Sequence, residues 1–549
     1  MDKLLTARFA MFVAAASLIA CGSAPNLTGC QQTSDCTGDA VCAQNVCQQG
    51  LRLSLTPAGD GVGRITSSPD GFNCSTACSA PLAAGTEVTL HAIPDSNSVF
   101  AGWSGACAGT ADCHVTMDDS KSATASFRST HVVFSSAMAV DGSDAAQADT
   151  VNIWRVKGDG SGLEALTGTS AAGVTNFLAR SSPDGTQIVF ESSRSLDGSA
   201  TASSTMNIWK MNADGSGIIP LTRGTATGDS AGGMMPEWSP DGKHVVFVSQ
   251  RNLDGSDTPN PVPNLWRVNA DGSGLSPLTA STGADIAILF TKHFSPDGAQ
   301  IVFTSNRNPD GTDTVSPTSA FNLWRVRTDG SGLSPLTRAT ASSSFLPHWS
   351  PDGKTIVFAS DRNVDLTDTL NPSTVFNIWR INADGTGLVP LTRGTVAGIL
   401  NLAPRWSPDG SRIVFTSSMS LDGSNAPNTG STSNLWTVNA DGTGLAPLTR
   451  ATATGDGAAM LPQWSLDGSR IFFSSTRKLD GSDATNGPDS TANLWRVEVK
   501  DGSVAPLTRI TAKNAGSSSC ATGGSGTLCA LAFVAALALL KRRRGATRR

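Results

Sequence analysis

From His131 onward the chain alternates short apolar runs with turn-forming tetrapeptides, and the alternation repeats. Runs such as Thr355-Ile356-Val357-Phe358-Ala359-Ser360 and Phe376-Asn377-Ile378-Trp379-Arg380-Ile381 have the length and the β-branched and aromatic content of strands. Between them stand Ser350-Pro351-Asp352-Gly353 and Asp384-Gly385-Thr386-Gly387, whose Asp-Gly steps supply the positive φ of a tight hairpin. Each unit predicts four strands. One ends at the Trp-Ser position (345–349), one follows the Pro-Asp-Gly turn, one carries Asn-x-Trp, and one begins Val389-Pro390-Leu391-Thr392. Asn-x-Trp places its tryptophan at Trp154, Trp209, Trp266, Trp324, Trp379, Trp436 and Trp495, and Ser-Pro-Asp-Gly begins at Ser182, Ser239, Ser295, Ser350 and Ser407. Ser465-Leu466-Asp467-Gly468 is a sixth, altered copy. Four antiparallel strands per unit, repeated in series, predict an all-β protein with a β-propeller, because ring closure hides the edges of an open array.

The blade count follows from which strands recur. The middle, Asn-x-Trp and Leu-Thr strands occur seven times, the first at Val132-Val133-Phe134, but the strand entering Ser-Pro-Asp-Gly occurs six times. Seven blades over 131–512 are expected, the first lacking its own opening strand unless the tail after Thr508 supplies it, with six as the alternative. The units exceed the roughly 40–50 residues of common blades, and the surplus lies in a loop before Asn-x-Trp. That loop carries acid pairs: Asp254 with Asp257, Asp310 with Asp313, Asp365 with Asp368, and Asp480 with Asp483. Such pairs offer oxygens to Ca²⁺, which takes six to eight; the competing reading is an Asp-Gly turn with the second Asp as a cap.

The repeat, with its seven Asn-x-Trp strands and four Trp-Ser positions, resembles the TolB-type propeller family over about 380 residues. The resemblance implies binding of a protein partner, by loops at one mouth of the ring. No catalytic set is expected: Gly228-Asp229-Ser230-Ala231-Gly232 lacks the strand and helix of a nucleophile elbow. His293 and His348 share a slot before the Trp-Ser aromatic that other blades fill with Glu237, Arg405 or Gln463. Such variation predicts solvent-facing or rim positions. A propeller enzyme, a lyase or glycosidase acting on extracellular polysaccharide, is the rival reading, and a passive spacer the third.

Ahead of the repeats, 51–128 alternates apolar and polar residues, as in Val88-Thr89-Leu90-His91-Ala92. Its Phe100-Ala101-Gly102-Trp103-Ser104-Gly105 turn and its closing strand from Thr116 to Phe127 resemble the divergent internalin-B-type bacterial repeat. That resemblance implies a small β-grasp-like spacer or adhesive module, in which Cys74, Cys78, Cys107 and Cys113 form two disulfides, each within its own couple. Cys30, Cys36, Cys42 and Cys47 fall within eighteen residues, too few to bury a core, so two disulfides are expected in the knob of 21–50; zinc is the alternative. At the N-terminus, Lys3 and Arg8 precede an apolar run of about a dozen residues. It ends Leu18-Ile19-Ala20-Cys21-Gly22, which resembles a lipobox. The resemblance implies that 1–20 is a signal peptide and that Cys21 is lipidated; an ordinary secretory signal is the alternative. In 513–549, Cys520 leads through a Gly-rich stretch to an apolar segment and Lys541-Arg542-Arg543-Arg544, which resembles the MYXO-CTERM sorting tail; a single-pass anchor is the alternative.

Composition adds one exclusion and one sign of repetition. The 549 residues carry 40 Lys+Arg against 45 Asp+Glu, a net charge of −5, so no basic domain awaits a nucleic acid. Twelve Trp beside twenty Phe and no Tyr is the usage of one short motif copied many times. The expected protein is an outer-membrane or cell-surface lipoprotein, with a periplasm-facing alternative. Its expected partner is an envelope or extracellular protein or a glycan; membrane contact comes through the two ends, and calcium is the one candidate cofactor.

Overall fold

The computed structural model describes residues 29–59, 61–95, 97–141, 150–168, 171–197, 199, 201–225, 233–256, 259–283, 286–371, 375–428, 432–452, 460–479, 492–510 and 520–522. Cys21, Asp257, Asp480 and Asp483, and the lipobox and basic tip, lie outside them. The chain divides into two units, 1–128 and 129–549. Among the described residues no helix is long and apolar enough to cross a membrane.

The first unit contains a hairpin of Ala40–Ala43 and Val46–Gln49, stapled by Cys30–Cys42 and Cys36–Cys47. Two four-stranded sheets follow it. Leu53, Leu55 and Phe127 of one sheet and Ile65, Leu90 and Val115 of the other share a core with Trp103. Cys74 bonds Cys78, and Cys107 bonds Cys113.

The second unit is the propeller, with seven four-stranded sheets. The fifth blade shows the plan: Ser344–Trp349, Thr355–Ser360, Asn377–Asn382 and Val389–Pro390 pair antiparallel in that order. The repeated motifs are a hydrogen-bond code. Asn377 Oδ1 accepts from the Thr392 hydroxyl (2.9 Å) and from Gly394 N–H (2.7 Å), while its Nδ2 donates to the Gly394 carbonyl. The Thr392 hydroxyl oxygen in turn accepts from Ile378 N–H. The Asn–Thr bond recurs in all seven blades, which is why Asn-x-Trp and Leu-Thr travel together. In Ser-Pro-Asp-Gly, the Ser350 hydroxyl donates to Asp352 and accepts from Thr355 N–H, locking the turn. The seven Asn-x-Trp tryptophans are at most 2% exposed; burying ~200 Å² of each ring system is worth about 5 kcal/mol before entropy is charged against it. Six of the seven short outermost strands end in proline (Pro220, Pro277, Pro335, Pro390, Pro447, Pro506), the first blade's ending at Ala165 instead; proline discourages pairing at the exposed edge.

Neighbouring blades are stitched by a second device. A cation on the third strand donates to a carbonyl in the next blade's turn: Arg155 to Ala213, Lys210 to Ala270, Arg267 to Thr328, Arg325 to Ala383 and Arg380 to Ala440. Arg496 of the seventh blade donates to Gly158 of the first (2.8 Å), so the ring closes. Thr437 holds this position in the sixth blade. Val132, Phe134 and Trp154 of the first blade also pack with Phe472, Leu494 and Leu507 of the seventh. The first blade's innermost strand is Cys520–Thr522, which pairs with His131–Ser136, so the chain's tail supplies the missing strand and the count is seven. Cys520, expected in a sorting tail, thus has its backbone in the propeller sheet.

Candidate binding site in the ring interior

The opening strands of successive sheets are neighbours, which places them innermost. Five of them carry a bulge marked by positive φ at Leu178, Met235, Leu346, Ala403 and Leu461, and the fourth blade's strand shifts register between Ile288 and Lys292. A bulge re-aims the residues beside it. Two positions further on stand Arg180, Glu237, His348, Arg405 and Gln463; His293 is their counterpart before Phe294. The structure corrects the expectation for this slot. Arg180, Glu237, Arg405 and Gln463 are 4–6% exposed, and His293 and His348 are only partly exposed and stack 3.9 Å apart. They are neither rim nor solvent-facing positions: the residues of different blades meet in the middle of the ring.

Two further side chains join them. Glu191, on the second strand of blade two, accepts a hydrogen bond from Met235 N–H (2.9 Å), and Lys292 Nζ donates to the Met235 carbonyl. The peptide flanking a strained, positive-φ residue of blade three is thus clamped by an acid from blade two and a base from blade four. Sequence reading missed both. The signal was present: the blades place Ser135, Val248, Thr304, Ala359, Thr416 or Ser474 where blade two has Glu191, and Ala179, Pro236, Pro347, Pro404 or Pro462 where blade four has Lys292.

Burial and mutual charge set the electrostatics. Burial raises Glu191 to about 7, against the lowering pull of the Met235 N–H, Lys292 and Arg180. Glu237 is also raised by burial, despite Lys292, Arg180 and Arg405. Burial brings Lys292 down to about 8, and Arg180 and Arg405 to about 10. His293 falls to about 3 through burial and the Arg405 cation, and His348 falls well below its ordinary value through burial, His293 and Arg405. The Arg405 cation of blade six thus acts against the raising of Glu237 of blade three and adds to the lowering of Arg180 of blade two. Both imidazoles are therefore neutral near pH 7. Trp349 N–H donates to His293 Nδ1 (3.3 Å), which assigns the His293 proton to Nε2.

Strand direction sorts the connections. The Ser-Pro-Asp-Gly and Asp-Gly-x-Gly turns lie at one end of each sheet, and the long loops with the blade-to-blade connections lie at the other. In the long loops the first acid caps its own turn: Asp254 accepts from Ser256 N–H, Asp310 from Thr312, and Asp365 from Thr367. The second acid reaches the preceding connection. Asp313 accepts from Thr282 N–H and Gly283 N–H and pairs with Arg307 at 2.7 Å; Asp368 accepts from the Thr340 and Ser342 hydroxyls and pairs with Arg362. Among the described residues, the one close trio of His, Cys, Asp or Glu is Cys30, Cys36 and Cys47, whose sulfurs are engaged in disulfides.

Parts of this chain are similar to known proteins. Residues 60–131 match the divergent InlB B-repeat domain family. The chain is 30% identical over 181 residues to an uncharacterized protein of Agrobacterium fabrum, covering 32% of this chain and 52% of that one. It is 31% identical over 104 residues to the Tol-Pal system protein TolB of Anaeromyxobacter dehalogenans, covering 19% of each. The chain thus spans about half, or less, of the curated relatives it matches. Among solved structures, an oligogalacturonate lyase from Vibrio parahaemolyticus aligns with a TM-score of 0.43 at 15% identity, covering 69% of this chain and 85% of that one. TolB from Agrobacterium tumefaciens aligns at 0.34 and 20%, covering 53% and 84%.

Proposed function

We propose that this protein is an exported, membrane-linked scaffold whose propeller binds an envelope or extracellular protein without chemistry. The observation that supports it is the division of labour within the ring. The Asn–Thr code, the locked turns and the cationic stitches are spent on a uniform frame, while the long loops collect on one face and differ from blade to blade. Leu366 takes the place that Gly255, Gly311 and Gly423 hold in the corresponding loops; it keeps their positive φ (70°) and is 54% exposed. An exposed leucine side chain held in a strained conformation is what a contact residue would show. Export rests on the lipobox-like Cys21 and the four disulfides. Calcium would have to displace the Thr, Ser and Arg bonds of Asp313 and Asp368, so we assign these acids to the frame.

The test is capture of partners on the immobilised body, residues 49–522, compared with a Leu366→Gly form carrying alanine at Asp310 and Asp365. Loss of the captured proteins supports the reading; an unchanged set removes the loop face from it. The second reading, an enzyme acting on acidic polysaccharide, is favoured by the interior groups, since Glu191 at about 7 and Lys292 at about 8 are poised near neutrality. Release of shortened or unsaturated oligosaccharides by the purified body would establish it in place of the scaffold.

A further inference from the structure

The seam between blades four and five holds a groove of about 400 Å³, toward the small end of the roughly 300–1,000 Å³ of ligand pockets. Its floor is apolar: Leu336 and Ile381 are buried, and Leu388 is half-buried beside them. Three guanidiniums line it, Arg325 and Arg338 from blade four and Arg362 from blade five. Arg362 is buried and pairs with Asp368, so its charge is met within the frame. The other two meet only neutral oxygens among the described residues. Arg325 Nη1 donates to the Ala383 carbonyl (2.8 Å) and its Nε to the Ser334 hydroxyl (3.2 Å), while Arg338 Nη1 donates to the Pro309 carbonyl (2.6 Å). Asp384 stands at the exposed rim, where it accepts from the Thr386 N–H and hydroxyl and forms no ion pair with either arginine. Arg325 Nη2, Arg338 Nε and Nη2 and the Ser334 hydroxyl proton are left as donors.

The repeats show that a blade closes without this combination. Other blades hold Glu164, Ile219, Ser276, Val389, Ala446 or Ala505 at the Ser334 position. Arg338 gives way to Gly168 in blade one and Ala280 in blade three, and Arg362 to Met138 in blade one and Met419 in blade six. Along the sequence, only the four–five seam sets Arg, Ser and Arg of one blade against Arg of the next. The two–three seam comes nearest, with Lys210, Arg223 and Arg251, but has Ile219 in place of the serine.

We infer that this groove binds a small organic anion, whose carboxylate or phosphate is held by Arg325, Arg338 and the Ser334 hydroxyl and whose apolar body rests on Leu336, Ile381 and Leu388. Guanidinium groups suit either head, because their paired N–H donors match two oxygens of one anion. The inference goes beyond the scaffold reading, since it gives the propeller a small-molecule site at the outer strands of one seam.

The experiment is calorimetric titration of the purified full-length protein with phenyl phosphate, benzoate, inorganic phosphate and phenol, at constant ionic strength in chloride. Saturable binding of phenyl phosphate or benzoate is expected, and the tighter of the two identifies the head as phosphate or carboxylate. Inorganic phosphate, which lacks the apolar body, and phenol, which lacks the charge, should bind at least about tenfold more weakly. Arg338→Gln and Arg325→Met should each weaken binding about ten- to hundredfold, the ratio that accompanies loss of a charge-assisted hydrogen bond. Ser334→Val, which installs the residue type of blade five, should weaken it about fivefold. Arg393→Gln, which removes the same charge one blade further on, should leave it unchanged. Arg325→Met also removes a stitch to blade five, so the exposed Arg338→Gln change decides the matter if that protein melts early. No saturable heat from phenyl phosphate or benzoate, inorganic phosphate or phenol bound as tightly as they are, or unchanged affinity in Arg338→Gln would overturn the inference. Because no partner protein takes part, this outcome is independent of the capture experiment.

Discussion

At the scale of single residues, most polar side chains serve the frame, and they can be told apart by what their loss should do. Asn377 is fully buried and makes three hydrogen bonds. Replacing it with alanine strands the Gly394 peptide and Thr392, so a loss of about 2–4 kcal/mol is expected in urea unfolding. Asp313 differs because its partners are a neighbouring loop and Arg307. Partial burial pushes its carboxyl up, but Thr282 N–H and the guanidinium hold it below the ordinary value. Asp313→Ala should lower the melting temperature by a few degrees, whereas chelators should leave it unchanged; a drop with EDTA would return calcium to these loops. Glu191 carries a pH signature. Its folded-state value, about 7, exceeds the ordinary 4.5, so the folded protein holds a proton that the unfolded chain has lost. Stability from this group is full below pH 4.5 and declines as pH rises toward 7. His293, at about 3 against 6.5, acts in the opposite sense, losing stability as pH falls from 6.5 toward 3. Glu191→Gln should therefore melt higher than the parent at pH 8 and show little gain at pH 4.5.

At the scale of the element, the blade is a unit whose two ends do different work. The tight turns are fixed by their own hydroxyl and carboxylate groups. Asp409, in the sixth blade's turn, is held at about 2 by the Ser407 hydroxyl, with Ser411 adding to it, so this turn weakens only as pH falls from 3.8 toward 2. Glycine is required where the turn meets the preceding blade: a Cβ on Gly215 would stand 2.6 Å from the Leu166 carbonyl, at a φ of +86°. The seam is the other variable. Six third strands send a cation to the next blade, and Thr437 does not. Thr437→Arg should raise the urea midpoint, by an amount equivalent to about 1 kcal/mol, whereas the converse change, Arg380→Thr, should lower it. Equal midpoints in both proteins would show that these bonds are neutral.

At the scale of the whole molecule, the repeat made the fold readable and hid the interior. Strands, turns and tryptophans were legible because each is written by nearly the same residues in most copies, and the Asn–Thr bond shows why Asn-x-Trp and Leu-Thr recur together. The module of 51–128 was readable from its Phe-x-Gly-Trp turn and cysteine couples. The interior was not, for a physical reason. Aligning repeats treats variation within a column as tolerance, which holds when the column's members face solvent. In a ring the innermost column faces itself, so Arg180, Glu237, His293, His348 and Arg405 vary because they are one another's surroundings. Glu191 and Lys292 were visible as the acid and the base in columns otherwise small or proline, a contrast that needed the inner strand to be recognised as inner.

The stitch between blades has an evolutionary corollary. Its donor is a side chain, but its acceptor is a main-chain oxygen, which any amino acid provides. No blade needs a matched neighbour, so a gene duplication or deletion of one unit would leave every joint chemically intact, with only the curvature of the circle to absorb the change.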